Sequence, residues 1–233
     1  MTSSLHYLFL DLLYLGIPVL LSFTGKAPLF RKWKFLLPAV VVTAVLFFIT
    51  DAAIASTGAL EVNSNKVAPF RIAGLPLEHL LGFLAIAYAG PFIYHTLNHL
   101  IERDYIYFHH ELISSALSVL FMVLGIYQLD KAFTGVAFLG LGLFLAFQMI
   151  VLKPRYMSRF YFATPVILIV LIPFYLFLTG TFTDQLILWH DEDQTLSIRL
   201  WTAPLEAIVY GWFVVLVSVT GYEWLKMRAG DWE

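Results

Sequence analysis

Phe35–Ala55 reads FLLPAVVVTAVLFFITDAAIA, with Asp51 its only charged side chain. A helix needs about 20 apolar residues to cross about 30 Å of hydrocarbon, and this run supplies them. It is continuously apolar, without the period-2 alternation of a barrel strand, so a helix that satisfies its own backbone is expected. Six further runs read the same way, at roughly 5–23, 76–98, 111–129, 132–152, 158–179 and 204–225. The whole chain agrees: of 233 residues, 60% are hydrophobic and 13% are charged, against about 25% charged in a soluble domain. The expected fold is an all-α membrane protein with seven transmembrane helices. A soluble enzyme and a disordered chain are excluded. The net charge of −2 leaves no basic footprint for nucleic acid. Cysteine is absent, which removes disulfides, thiolate nucleophiles and iron–sulfur clusters.

The first run carries Asp11 and no basic leader, so it does not read as a cleaved signal. Orientation follows from Lys and Arg. One side collects Lys26, Arg31, Lys32, Lys34, Arg103, Lys153, Arg155, Arg159, Lys226 and Arg228; the other has Lys66, Arg71, Lys131 and Arg199. The richer side is expected in the cytoplasm, with the N-terminus outside and the C-terminus inside.

Two long polar connections, about 57–75 and 180–203, each run into Pro-Leu-Glu at the start of a helix: Pro76-Leu77-Glu78 and Pro204-Leu205-Glu206. Proline suits the first helical turn, and a glutamate there faces the positive end of the helix dipole. The two motifs stand 128 positions apart, and Arg71/Arg199, Tyr94/Tyr222 and Leu97/Leu225 keep the same offset. Pro38 and Pro165 follow at 127. The expectation is two parallel three-helix repeats joined by a linker helix, a 3+1+3 arrangement. Its parts are 1–110, 111–130 and 131–233.

Acids inside a membrane default to function. Asp11, Asp51, Glu78 with His79, and Glu206 all fall near the outer ends of their spans. As symmetry mates, Glu78 and Glu206 are expected to approach each other, with Asp51 beside Glu78. Acids brought together away from water do not all ionise, and the protonated one is a donor. The plainer reading is that each glutamate only caps its own helix. Phe47, Phe48, Phe83 and Tyr210 lie on the same spans, and ring faces attract cations. His95 and His99 have a usable i, i+4 metal spacing, and His109 and His110 follow on the inner side. Seven histidines are few for a membrane histidine-box enzyme, so solvated interfacial residues are the favoured reading. Gly140 and Gly142 read as close-packing positions. No strand–glycine–helix signature for a flavin or nicotinamide is present, and no cofactor or metal is expected.

These residues resemble the integral-membrane lycopene cyclases of the heterodimeric or fused type, over nearly the whole chain. The matching stretches in the first half are Lys32-Trp33-Lys34, Asp51, Leu75-Pro76-Leu77-Glu78 and Phe92-Ile93-Tyr94. In the second half they are Thr179-Gly180-Thr181-Phe182-Thr183, Ser197-Ile198-Arg199, Pro204-Leu205-Glu206 and Tyr222-Glu223. The resemblance implies an isomerase-type cyclase that closes the linear end of lycopene or a related carotene without net redox change. An acid protonates the terminal double bond, the cation cyclises, and a base removes a proton. On this reading Glu78 and Glu206 are the expected acid–base pair, Asp51 tunes them or relays protons, and His79 is a base in place of the family's second acid, with Phe47, Phe48, Phe83, Tyr210 and Arg199 expected around the substrate. The implied partners are an apolar carotenoid drawn from the bilayer, the lipid itself, and a second copy or other carotenoid-pathway enzymes. The implied location is a bacterial or archaeal cytoplasmic membrane. The chain departs from the family at five positions. His79 and Ala207 stand at the second acidic position of the two motifs, Thr50 replaces a Trp, Thr179 replaces an Asn, and His95 replaces a Glu. A carotenoid-binding relative without turnover, and a small-solute transporter with parallel 3+1+3 repeats, are the competing readings.

Overall fold

The computed structural model describes residues 6–25, 28–101, 103–182 and 186–231. Lys26 of the charge count, Thr183 of the second matching stretch, and Leu5 at the head of the first run lie outside the described residues. The element order is α1 (His6–Leu21), α2 (Trp33–Ser56), β1 (Leu60–Val62), β2 (Arg71–Ile72), β3 (Leu75–Pro76), α3 (Leu77–Leu100) and α4 (His110–Tyr127). Then come α5 (Ala132–Phe147), α6 (Met157–Leu178), β4 (Leu188–His190), β5 (Arg199–Leu200), β6 (Ala203–Pro204) and α7 (Leu205–Arg228). All seven expected runs are helical, with ends shifted by a few residues.

Six of these helices are long and apolar enough to cross a membrane. The exception is α1, whose 16 residues span about 24 Å at 1.5 Å each, short of the hydrocarbon core. It ends where the Ser22 hydroxyl donates to the Pro18 carbonyl (2.7 Å) and Gly25 turns to positive φ. Phe9, Val42, Leu112, Ile150 and Ile169 are exposed, as a surface solvated by lipid chains allows. The protein is an integral membrane protein.

Packing gathers the chain into two compact units. The first comprises Met1–Ala53, Val62–Glu102 and Val214–Glu233; the second comprises Ile54–Glu61 and Arg103–Phe213. In the first, α1 turns Tyr7, Leu10, Asp11 and Pro18 inward, the three-and-four spacing of one helix face. Ser22 and Trp33 both hydrogen-bond the Tyr88 hydroxyl, at 2.7 and 2.8 Å. Gly90 lets α3 meet α7 closely: a Cβ there would lie 2.2 Å from Val215, and the Ser218 hydroxyl donates to the Ala87 carbonyl at 2.6 Å. Lys32 reaches Asp231 at 2.6 Å, and that hydrogen bond and charge hold the Asp231 carboxyl below the usual carboxylate range.

In the second unit α4 and α5 form a tight hairpin. A Cβ on Gly142 would sit 2.7 Å from the Met122 backbone nitrogen, and Ser118 donates to the Gly142 carbonyl at 2.8 Å. Gly140 meets the Phe213 ring. The two glycines are packing positions, as their sequence context indicates.

The polar connections hold structure that the hydropathy pattern does not announce. β2 pairs with β3 as Arg71↔Pro76 and Ile72↔Leu75, and β5 pairs with β6 as Arg199↔Pro204 and Leu200↔Ala203. In the first turn Ala73 and Gly74 both have positive φ; in the second only Trp201 does. Thr202 replaces Gly74 there, and a β-branched residue resists the left-handed region. Each arginine fastens its own turn, Arg71 Nη1 to the Gly74 carbonyl at 2.7 Å and Arg199 Nη1 to the Thr202 carbonyl at 2.9 Å. Pro76 is the N-cap of α3, one place earlier than the first-turn position expected of it.

Candidate active site

Each hairpin delivers a glutamate into a buried place. Glu78 is 1% exposed and Glu206 is 0% exposed. Neither side chain caps its own helix. Glu78 Oε1 accepts the Ala68 N–H at 2.6 Å, and Glu206 Oε1 accepts the Leu196 N–H. Those donors lie ten residues upstream in both cases. A carboxyl that folds back on its own loop fixes the loop and the acid together. In each glutamate the second oxygen, Oε2, is buried and has no hydrogen-bond partner among the described residues. A buried polar atom left so calls for an explanation, of which a catalytic role is one.

The neighbours then differ. In the first unit His79 follows Glu78 on α3, and both of its ring nitrogens are engaged. Nε2 meets Asp51 Oδ2 of α2 at 2.7 Å, and Nδ1 meets the Tyr7 hydroxyl of α1 at 3.1 Å. Asp51 Oδ1 is buried without a partner among the described residues. One turn beyond Tyr7, Asp11 is 1% exposed, and neither of its oxygens has a hydrogen-bond partner among the described residues. Asp11 and Glu78 are near enough to interact electrostatically. Aromatic rings wall this group: Phe83 meets the His79 ring edge-on at 5.1 Å, Phe48 lies 6.3 Å from it, and Phe47 lies 6.1 Å from Phe83.

In the second unit Glu206 receives the Thr134 hydroxyl of α5 at 2.9 Å. The position after it is Ala207, which offers no polar group. Phe133 lies between His190 and Tyr210, at 4.4 and 5.7 Å. Lys131 and the Ala132 N–H at the head of α5 hold the Thr195 carbonyl and the Gln194 side chain, at 2.6 and 2.9 Å. Arg199 spends its guanidinium on Thr202 and on Glu192 (3.3 Å), so its visible work is to shape the hairpin.

Asp51, Glu78, His79, Phe47, Phe48 and Phe83 are thus gathered in one unit, while Glu206, Tyr210 and Arg199 belong to the other. Tyr7 is the member that the sequence reading passes over. A tyrosine at the head of a span reads as an interface residue; its signal is the i, i+4 relation to Asp11 on one helix face.

The four histidines of the metal alternative are divided between the two units. His95 and His99 belong to the first unit and His109 and His110 to the second. The His99 Nδ1 is taken by the His95 carbonyl at 2.8 Å, and His95 Nδ1 by the Tyr222 hydroxyl at 3.3 Å. Among the described residues no group of three or more His, Asp or Glu is arranged to hold a metal.

Compared with known proteins, the chain matches the family model for lycopene cyclase in two segments, residues 4–97 and 130–225. No curated protein and no solved structure gives a match. The first segment contains Asp11, Asp51, Glu78 and His79; the second contains Thr134 and Glu206; α4 falls between them. With both segments covering most of its length, the chain belongs to the lycopene cyclase family.

Proposed function

We propose that the protein is a carotenoid end-group cyclase, closing the linear end of lycopene or a related carotene by proton transfer, and that its two halves descend from one duplicated three-helix unit. The observation that carries the catalytic reading is the group of buried carboxyl oxygens without hydrogen-bond partners among the described residues, set among aromatic rings in a chain of this family. Glu78 is the donor. Its Oε1 is tied to Ala68, and Oε2 is buried with no hydrogen-bond partner among the described residues, so Oε2 is the oxygen left to carry the transferred proton. The O–H proton adds to the terminal double bond, leaving a carbocation that attacks the neighbouring alkene to form the ring carbon–carbon bond. Phe47, Phe48 and Phe83 present ring faces to that positive charge.

The cation is quenched when a base takes a proton from an adjacent carbon. His79 does not contact the substrate in this scheme, because both of its nitrogens are engaged. Asp51, with Oδ1 open, is the base, and His79 stands behind it. One C–H bond forms and one breaks, so no oxidant or cofactor is consumed. Glu206, with Tyr210 nearby on α7, is the counterpart acid of the second repeat. The substrate is long and apolar and enters from the lipid.

Expression in lycopene-accumulating bacteria, with pigment identification, tests this. Cyclic carotenoids are expected. Unchanged lycopene at verified membrane expression removes the cyclase reading, and lycopene co-purifying uncyclised with the protein replaces it with the binding one.

A further inference from the structure

The second unit holds a pocket of about 370 Å³ that the proposed reaction does not use. It lies where α4 begins, α5 ends and α6 begins, about 20 Å along α5 from Thr134. Its volume falls within the range of small-molecule sites, about 300–1,000 Å³. The end of α5 is widened there. Gln148–Leu152 form a π turn, the Lys153 N–H donates to the Gln148 carbonyl at 2.7 Å, and Lys153 itself has positive φ. A side chain with a Cβ resists that backbone region, and π turns recur at functional sites. The lining includes the buried side chains of Gln148, Ser114 and Met157, and Ser114 is fixed by the Tyr161 hydroxyl at 2.7 Å.

The pocket carries one full charge of each sign. Lys153 and Glu111 both line it and both are exposed, and neither side chain makes a hydrogen bond or ion pair among the described residues. His110 joins them. Its Nδ1 donates to the Tyr107 carbonyl at 2.6 Å, so the neutral ring presents Nε2 as an acceptor. A linear carotene has no group for such charges, whereas a zwitterion does. Three helices end at this level, where phospholipid headgroups meet water. Leu112, Ile150 and Val151, sequence neighbours of the lining residues, are exposed as lipid-facing side chains are, and Tyr105, Tyr107 and Phe108 are exposed as in an interfacial aromatic belt.

We propose that this pocket binds the headgroup of an amine-bearing phospholipid, phosphoethanolamine in chemistry, with Lys153 on the phosphate and Glu111 and His110 Nε2 on the ammonium. An ethanolamine ammonium has N–H donors for both acceptors. A choline has none and is held by aromatic cages, and no Phe, Tyr or Trp lines the pocket. A glycerol headgroup brings the negative charge without the positive one and sets like charge against Glu111. The site stands apart from the carboxyl group and holds whether or not the chain forms rings.

The experiment is native mass spectrometry of the full chain in detergent, offered equal amounts of phosphatidylethanolamine, phosphatidylglycerol and phosphatidylcholine with identical acyl chains. The ethanolamine lipid is expected to bind about tenfold better than either competitor, the worth of one charge-assisted hydrogen bond. Glu111→Gln removes the charged partner of the ammonium and is expected to bring the ethanolamine-to-glycerol ratio close to one. Lys153→Gln removes the partner of the phosphate and is expected to weaken both of those lipids alike. Both positions are exposed, so the fold should hold. Glycerophosphoethanolamine, the headgroup without acyl chains, is expected to displace the lipid only in large excess. Equal binding of the three lipids by the wild-type chain, or a Glu111→Gln variant that keeps the wild-type preference, overturns the site. Displacement by an equal amount of glycerophosphoethanolamine overturns the lipid as occupant and makes the ligand a soluble phosphoamine.

Discussion

At the head of α3 and at the head of α7 the same turn, the same arginine and the same glutamate recur, 128 positions apart, with different company. The correspondence extends to single atoms. Ala68 and Leu196 donate to the two Oε1 atoms, and Phe70 and Ile198 accept from Leu77 and Leu205. Ser64 and Glu192 face the two arginines. Every one of these pairs keeps the common offset. What differs is the polar second layer. In the company of Glu78 stand Asp11, Asp51, His79 and Tyr7; among the described residues the one side chain that donates to the Glu206 carboxylate is Thr134. The shared part is what positions a carboxyl against its loop, and it needs no help from chemistry. The unshared part consists of ionisable groups, so under the proposed mechanism the first copy is the one expected to carry turnover.

The largest effect expected from this contrast is at Glu78. Glu78→Gln keeps an acceptor for the Ala68 N–H and removes the acidic proton, so the fold should hold while ring formation falls by about 10²–10⁴-fold. Pigment analysis beside a membrane-expression blot reads both. His79→Ala gives the first copy the residue that the second already has. It cuts Asp51 off from Tyr7, and a loss of about 10²-fold is expected, at the low end of the acid–base range. Glu206→Gln should cost about tenfold or less, roughly 1.4 kcal/mol of barrier, since Ala207 stands beside it where the first copy has His79 linked to Asp51. Equal losses in Glu78→Gln and Glu206→Gln would abolish the distinction between the copies.

Further down the scale, Thr134→Val removes one of the two donors to Glu206 and leaves the Leu196 N–H. A stability loss of about 1 kcal/mol is expected, with pigment output nearly unchanged. Thermal unfolding of the purified protein in detergent measures it. A collapse of activity with unaltered stability would make the second glutamate as catalytic as the first.

How the contrast could be read from sequence is uneven. The helices follow from apolar runs, because a bilayer imposes one length on every span. The motif glutamates and Asp51 stand out because an acid in such a run needs a reason. The partners of the glutamates do not stand out. Ala68 and Leu196 act through backbone N–H groups, which every residue except proline owns, so no residue type marks them. His79 looks like a departure from an acidic motif until Asp51 and Tyr7 are seen on its two nitrogens. Tyr7 itself lies 72 positions from that histidine, a separation that local pattern cannot bridge.

The smallest expected effect tests whether the matching turns are equivalent scaffolds. Arg199 meets the charged Glu192 where Arg71 meets the neutral Ser64, at 3.3 and 2.7 Å. Glu192 is exposed, so solvent and salt screen the pair, and side-chain freedom is lost in forming it. Glu192→Ser should therefore shift stability by no more than about 0.5 kcal/mol at low salt, and less at high salt. Ring formation should not change, because both arginines still hold their turns through the Gly74 and Thr202 carbonyls. A large, salt-insensitive loss would mean that the second turn depends on its charge pair, and that the two hairpins, alike in register, are held by different forces.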